Sequence, residues 1–165
     1  MRRKFRLSHS VVGLAVLLLL QGGLYLVLPK DTSAWLSLLF SLIGATVAMS
    51  VATEVIEEVR AYRLMFALLS VIVAEFVAFF AAEYFFLITC SPLSFPTLGS
   101  DPASLFLASI MVFVFNPLYQ PADVLGRLML FLNTATSLGL AFFILQNISQ
   151  LRHLGPKEEL KNAEK

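Results

Sequence analysis

Four long apolar runs, separated by short polar breaks, dominate the sequence. A bilayer core about 30 Å thick needs roughly 20 apolar residues in a helix. Each run is close to this length, so we predict four membrane-spanning helices. They cover residues 11–28, 34–53, 64–89 and 124–148.

The first run follows a basic segment, residues 1–6, and this flank also suits a signal peptide. The apolar stretch is long, however, and no small-x-small cleavage pattern precedes Pro29. We therefore predict an uncleaved anchor helix.

A fifth apolar segment lies between the third and fourth spans and is shorter. Asp101 and Pro102 are typical of a helix start, with an N-cap carboxylate and proline at the first helical position. The segment ends at Asn116 and Pro117, which gives a helix of about 14 residues, or ~21 Å. That length predicts a re-entrant or buried half-helix. The predicted fold class is an all-α membrane protein with four transmembrane helices plus this half-helix between the third and fourth.

Polar breaks divide the chain into four parts, and basic residues set its orientation. Ten Lys or Arg lie in the N-terminus, the second connection and the tail, against Lys30 and Arg127 on the other side. Both termini are therefore predicted to be cytoplasmic, in the cell (plasma) membrane with lipid as a partner. The parts are a basic N-terminus (1–10), a two-helix hairpin (11–57), a helix, half-helix and helix unit (58–150), and a charged tail (151–165).

Small residues recur every four positions on the second and third spans. This spacing lets helices approach closely in lipid, and it fits packing inside one subunit as well as contact between subunits. The stripes are Gly44, Ala48 and Ala52, and Ala74, Ala78 and Ala82.

Composition excludes several classes of function. With 58% hydrophobic and 14% charged residues, the chain has too few polar groups for a soluble globule. A net charge of +1 argues against a nucleic-acid partner. The single Cys90, with His9 and His153 near opposite ends, predicts no disulfide framework, metal site or other cofactor.

No constellation of catalytic side chains can be assembled inside the membrane, so we predict that the chain is not an enzyme. The acidic cluster that follows the second span lies beside two arginines, which favours a solvated cytoplasmic face over a metal site. Its members are Glu54, Glu57 and Glu58, with Arg60 and Arg63.

Pro121 precedes Gly126 and Arg127 by four intervening residues and the pair opens the last span. With the helix, half-helix and helix plan before it, this pattern resembles the potassium-channel pore-domain superfamily. There, Pro, four residues and Gly-Arg lead from the selectivity filter into the inner helix. The resemblance covers about residues 64–150, and the two preceding helices are similar to the layout of small bacterial members. It implies a symmetric homo-oligomer, a tetramer if channel-like, or a subunit of a larger membrane complex.

The filter of that superfamily falls on Phe113, Val114, Phe115, Asn116 and Pro117. Potassium filters use backbone carbonyls as ligands, and aiming them inward requires positive φ at alternate residues. Phe115 is poorly suited to that conformation, and the ring of Pro117 excludes it. We therefore expect a degenerate filter that forms an apolar plug and conducts no potassium selectively.

One face of the last span combines polar and apolar side chains. The channel resemblance implies that this face lines a central cavity, with Ser137 at a small-residue hinge. The alternative is that its polar groups bind neighbouring helices. The face includes Asn133, Ser137, Leu140 and Ile144.

Three charged residues are predicted at membrane depth, where charge normally has a partner or marks function. We expect Glu83 and Arg127 to form an ion pair between helices. Glu75 lies nearer the midplane and fits a neutral, hydrogen-bonded group, a proton or cation site, or a position at the lipid rim or an interface.

These patterns predict a channel-like membrane subunit without a potassium filter, acting mainly in assembly. One alternative is a pore of atypical or non-selective conduction, gated by phenylalanines through dewetting. The other is a small proton-coupled transporter that uses Glu75.

Overall fold

A computed structural model describes the backbone of residues 7–58 and 62–163 and the side chains of residues 11–56 and 64–146. Five helices and no strand form this described backbone, which confirms the all-α class. The helices are α1 (Leu7–Val27), α2 (Lys30–Glu58), α3 (Tyr62–Cys90), α4 (Pro102–Phe113) and α5 (Val124–Ala163).

Three helical segments of the described residues are long and apolar enough to cross a membrane. They are Lys30–Ile56, Leu64–Cys90 and Val124–Gln146. The described apolar part of α1, Val11–Val27, is shorter, and so is α4. The chain is therefore compatible with a multi-pass membrane protein.

The core lies where α2 packs along α3, with α1 and α5 against α2 and α4 against α3. The small-residue stripe of α2 is buried in this contact. A methyl group on Gly44 would overlap the ring of Phe79, so the absent side chain gives that ring its space. On α3, in contrast, Ala74 and Ala78 are exposed and Ala82 is half-buried. The first stripe packs helices inside the chain, and most of the second faces outward.

α5 continues to Ala163, so most of the predicted tail extends the helix, because the segment is rich in Lys, Glu, Leu and Ala, which are good helix formers. Residues 1–6 and Arg60 lie outside the described residues, as do the side chains of Glu57, Glu58 and Arg63.

Candidate functional site

The short helix α4 begins as the sequence predicts. Asp101 has an extended backbone (φ −73°, ψ 146°) and accepts a hydrogen bond from the backbone N–H of Ser104 at 2.9 Å. Pro102 occupies the first helical position. The pKa of Asp101 is lowered, first by hydrogen bonding to the Ser104 side chain and then to its backbone.

The other end of α4 contains the expected filter segment, and this segment forms a helix cap. Phe115 N–H donates to the carbonyl of Val112 at 2.9 Å, and Asn116 N–H donates to that of Met111 at 2.8 Å. This pair of bonds is a Schellman motif, in which the residue at the Phe115 position takes a left-handed conformation. Proline often follows such a cap, as Pro117 does here.

Phe115 itself has a φ of 61°, a region in which glycine is favoured. The expectation that phenylalanine would avoid positive φ at this position is therefore wrong. The left-handed conformation costs about 1–2 kcal/mol, and the two cap hydrogen bonds offset it. Half of the Phe115 side chain is exposed, so its ring lies at the surface of the chain.

The return segment after α4 comes back to the loop that follows α3. Ala122 N–H donates to the Ser94 carbonyl at 3.0 Å. The Asp123 carboxylate accepts from the hydroxyls of Ser94 at 2.8 Å and Ser91 at 3.3 Å, and from the N–H of Gly126 at 2.7 Å. Burial acts to raise the pKa of Asp123, but the hydrogen bonds from Gly126, Ser94 and Ser91 together lower it. Asp123 thus caps α5 and ties the two loops together.

The Pro-x4-Gly-Arg pattern has a packing role at this junction. A methyl group on Gly126 would lie 2.6 Å from the backbone oxygen of Ser94 and 3.0 Å from Cβ of Pro121. Only glycine therefore allows the loop after α3 to approach the first turn of α5 this closely. Arg127 is exposed one residue later.

The far end of α4 reaches the middle of α3. The rings of Phe113 and Phe76 meet edge to face, with centroids 6.1 Å apart. Phe76 lies 14 residues before Cys90, which is about 21 Å along the helix axis. Of the expected plug, Phe113 is half-buried in this contact, and the side chains of residues 114–117 are exposed.

On α5, the face expected to line a cavity packs inside the chain. Asn133, Ser137 and Leu140 are fully buried, and Ile144 is half-buried. Asn133 donates to the Tyr84 hydroxyl of α3 at 3.3 Å, and Ser137 donates to the Asn133 side-chain oxygen at 3.3 Å. These polar groups therefore take the alternative role: they make contacts inside the helix bundle.

The buried Glu83 has a partner that the sequence did not suggest. Its Oε2 accepts a hydrogen bond from Nε2 of Gln21 on α1 at 2.8 Å, and the same Nε2 donates to the Ser37 hydroxyl of α2 at 3.0 Å. Among the described residues Glu83 forms no ion pair, so the expected pair with Arg127 is wrong. The reason is position: Glu83 faces α1 and α2, whereas Arg127 lies exposed at the start of α5.

Gln21 was missed, although a signal was available: it is the only polar side chain of the described stretch from 11 to 24. Glu75, the other acidic residue of the α3 span, is half-buried about 12 Å below Glu83 along the helix.

An apolar groove lies beside α4, between α3 and α5. Its volume is about 450 Å³. Phe66 and Val73 of α3 line it, with Phe113 of α4 and Ile144 of α5. Its polar lining residue, Ser70, donates its hydroxyl to the Phe66 carbonyl at 2.9 Å. The groove arises because α4 ends at Phe113.

Comparison of the chain with protein families, curated proteins and solved structures finds no match. Within the described residues no three His, Cys, Asp or Glu side chains come together as metal ligands.

Proposed function

We propose that this chain is a channel-like membrane subunit without a potassium filter, which acts mainly in assembly. In this proposal α1, α2, α3 and α5 are four spans, both termini are cytoplasmic, and α4 is a re-entrant half-helix. The observation that carries it is the path of the chain after α3. α4 starts near the Cys90 end of α3 and reaches the level of Phe76. The chain then returns to the loop after α3, where Asp123 binds Ser94 and Ser91.

The local structure of residues 113–117 supports the absence of a potassium filter. A filter needs a row of carbonyls aimed at one axis. Here the backbone forms a Schellman cap, with one positive φ at Phe115 followed by a proline. The exposed apolar side chains of this segment support a plug in an oligomer.

The outward stripe of α3 supports the role in assembly. Ala74 and Ala78 leave small residues on an exposed helix face, and such faces favour helix association in lipid. A homo-oligomer, a tetramer if channel-like, or a larger membrane complex would cover this face.

Flux of potassium, sodium, chloride and protons through vesicles that contain the purified chain tests the proposal. We expect no potassium-selective flux, and images of the particle that show a symmetric oligomer or stoichiometric companions. A Phe113→Ala/Phe115→Ala double variant should leave the flux unchanged, with Val114→Ala as the matched control. A leak that grows in the double variant alone would support the phenylalanine-gated pore instead. Transport that is lost in Glu75→Gln would support the proton-coupled carrier.

A further inference from the structure

A small void lies beside the buried side chain of Gln21, which binds Glu83. Its volume is about 10 Å³, which is close to the space that one water molecule needs. Gln21, Ser33 and Ser37 supply its polar lining, and Cys90 lines it at the end of α3. The void thus lies between Gln21 and that end of the bundle, and Cys90 is about 10 Å from Glu83 along the helix.

Three buried polar atoms, two on residues that line this void and one on Glu83, have no hydrogen-bond partner in the described part of the chain. They are Oε1 of Gln21, Oγ of Ser33 and Oε1 of Glu83. Their side chains are 4%, 5% and 0% exposed. A water molecule in the void can accept from Ser33 and donate to Gln21, which satisfies two of the three. The third atom belongs to the carboxyl group.

The carboxyl group of Glu83 lacks a balancing charge. An ionised carboxylate in an apolar interior is very costly unless a cation pairs with it, and the usual outcome is that it takes up a proton. No described Lys or Arg pairs with it. Among the described side chains, the titratable or charged groups on the surrounding helices and at their starts are Tyr25 (α1), exposed Lys30, Asp31 and Glu54 (α2), Glu75, Tyr84 and Cys90 (α3), exposed Asp101 at the start of α4, and Asp123 and exposed Arg127 at the start of α5.

Gln21 suits both protonation states of this carboxyl group. Its Nε2 can donate to an ionised carboxylate through the hydrogen bond that it forms with Oε2 of Glu83. After a half-turn of the amide, its Oε1 accepts from a protonated acid. A lysine or arginine, which only donates, would fix the charged form.

We propose that Glu83 is a reversible proton-binding site, in which Gln21 is the partner of the exchanging carboxyl group and one water molecule in the void beside Gln21 connects the pair to the Cys90 end of the bundle. Protonation forms an O–H bond on the carboxylate and breaks one O–H bond of a hydronium ion, which leaves as water. Exchange proceeds from the Cys90 end of the bundle. The site does not depend on the pore-like plan, because α1, α2 and α3 alone build it.

Infrared spectra of the full chain in vesicles test the assignment. We expect a carbonyl band of a protonated carboxylic acid at neutral pH that shifts in D₂O and is lost in Glu83→Gln. Glu75→Gln, on the same helix, is the matched control and should retain the band. A band that survives in Glu83→Gln overturns the proposal, as does a band that appears only when sodium is removed, since a cation then occupies the site.

A second variant tests whether protons exchange with Glu83 through the void. Ser33→Val removes a hydroxyl from the void and fills part of it, so deuterium exchange of the band should slow several-fold. Ser50→Val, at an exposed position of α2, is the control and should exchange as the unmodified chain does. Equal rates in all three chains would contradict exchange through the void. If Glu83→Gln does not fold, ¹³C-glutamate labelling of the Glu75→Gln chain must shift the band, and an unshifted band overturns the proposal.

Discussion

Asp123 and Glu83 are two carboxyl groups that join helices in opposite ways. Asp123 lies between the loop after α3 and the start of α5 and accepts three hydrogen bonds, from Gly126, Ser94 and Ser91. Glu83 lies fully buried among α1, α2 and α3 and accepts a hydrogen bond from Gln21, with the Ser41 hydroxyl of α2 also near its carboxyl group. Three donors bind the first group, and only neutral side chains meet the second.

The difference shows what each region of the molecule requires. At Asp123 the negative charge is useful, because three donors hold the loops in register. At Glu83 the same charge would lack compensation, because no described Lys or Arg pairs with it. The Asp123 carboxylate therefore holds the loop after α3 to the start of α5, and the Gln21–Glu83 hydrogen bond holds α1 to α3.

The junction at Asp123 should be most sensitive at Gly126. Gly126→Ala places a methyl group 2.6 Å from the Ser94 carbonyl oxygen, and we expect it to lower the free energy of unfolding by about 2–3 kcal/mol. Unfolding in mixed micelles measures this. Gly139→Ala is the matched control on α5, because nothing lies within 4 Å of its added methyl group. The control should be neutral or stabilising by up to about 1 kcal/mol, and equal losses in both variants would refute the close approach.

Removing the charge of Asp123 should have the next largest effect. Asp123→Ala loses a helix cap and two hydroxyl partners, which we expect to cost about 2 kcal/mol. The lowered pKa of Asp123 stabilises the fold above its ordinary value of 3.8, and this stabilisation is lost as pH falls through the lower, folded value. Acid titrations of stability should therefore be flatter in Asp123→Asn than in the unmodified chain as pH falls from the ordinary value to the lower, folded value. Parallel curves would contradict the role of the charge.

At the Gln21–Glu83 pair, loss of one partner should cost more than loss of both. Gln21→Leu removes the amide donor from the buried Glu83 and should cost about 1–3 kcal/mol. Replacing both residues by leucine removes the unmet acceptor and should recover much of that loss. The comparison of single and double variants in one unfolding assay measures the coupling. Simple addition of the two single effects would show that the hydrogen bond contributes nothing.

The smallest effect should come from the strained cap, and its sign is opposite. Phe115→Gly relieves a left-handed phenylalanine, and we expect it to stabilise the chain by up to about 1 kcal/mol. Val114→Gly, at a residue with φ −90°, relieves nothing and should be slightly destabilising. A thermal shift assay separates the two. Destabilisation by Phe115→Gly would show that the ring makes contacts worth more than the strain.

Features that depend on neighbours in sequence were predictable. Pro29 marks the break between α1 and α2, and Asp101 with Pro102 marks the start of α4, because caps and prolines act over a few residues. The apolar runs predicted the position of each long helix, because each run is a continuous stretch of sequence. The left-handed Phe115 was not predictable, because the cap hydrogen bonds that hold it there outweigh its intrinsic preference.

Partners between helices were harder to assign. The sequence gives the depth of Glu83 in its helix, and Arg127 lies at a similar depth, but the rotation of each helix decides which side chains meet. Gln21 shares the depth and faces Glu83, so a neutral partner takes the place of the expected cation. Asn133 likewise faces Tyr84, because the rotation of α5 places Asn133 on the side that packs against α3.

The central claim is that α4 enters the membrane beside α3 and that the following segment returns to the side on which the Cys90 end of α3 lies. Single cysteines at Leu93 and Gln120, in a chain with Cys90 replaced, test it through labelling by a membrane-impermeant thiol reagent in sealed, oriented vesicles. Both positions are exposed, and so is Glu54 near the opposite end of α2, which serves as the reference. The account predicts that Leu93→Cys and Gln120→Cys are labelled from one side and Glu54→Cys from the other. Labelling of Leu93→Cys and Gln120→Cys from opposite sides would contradict it.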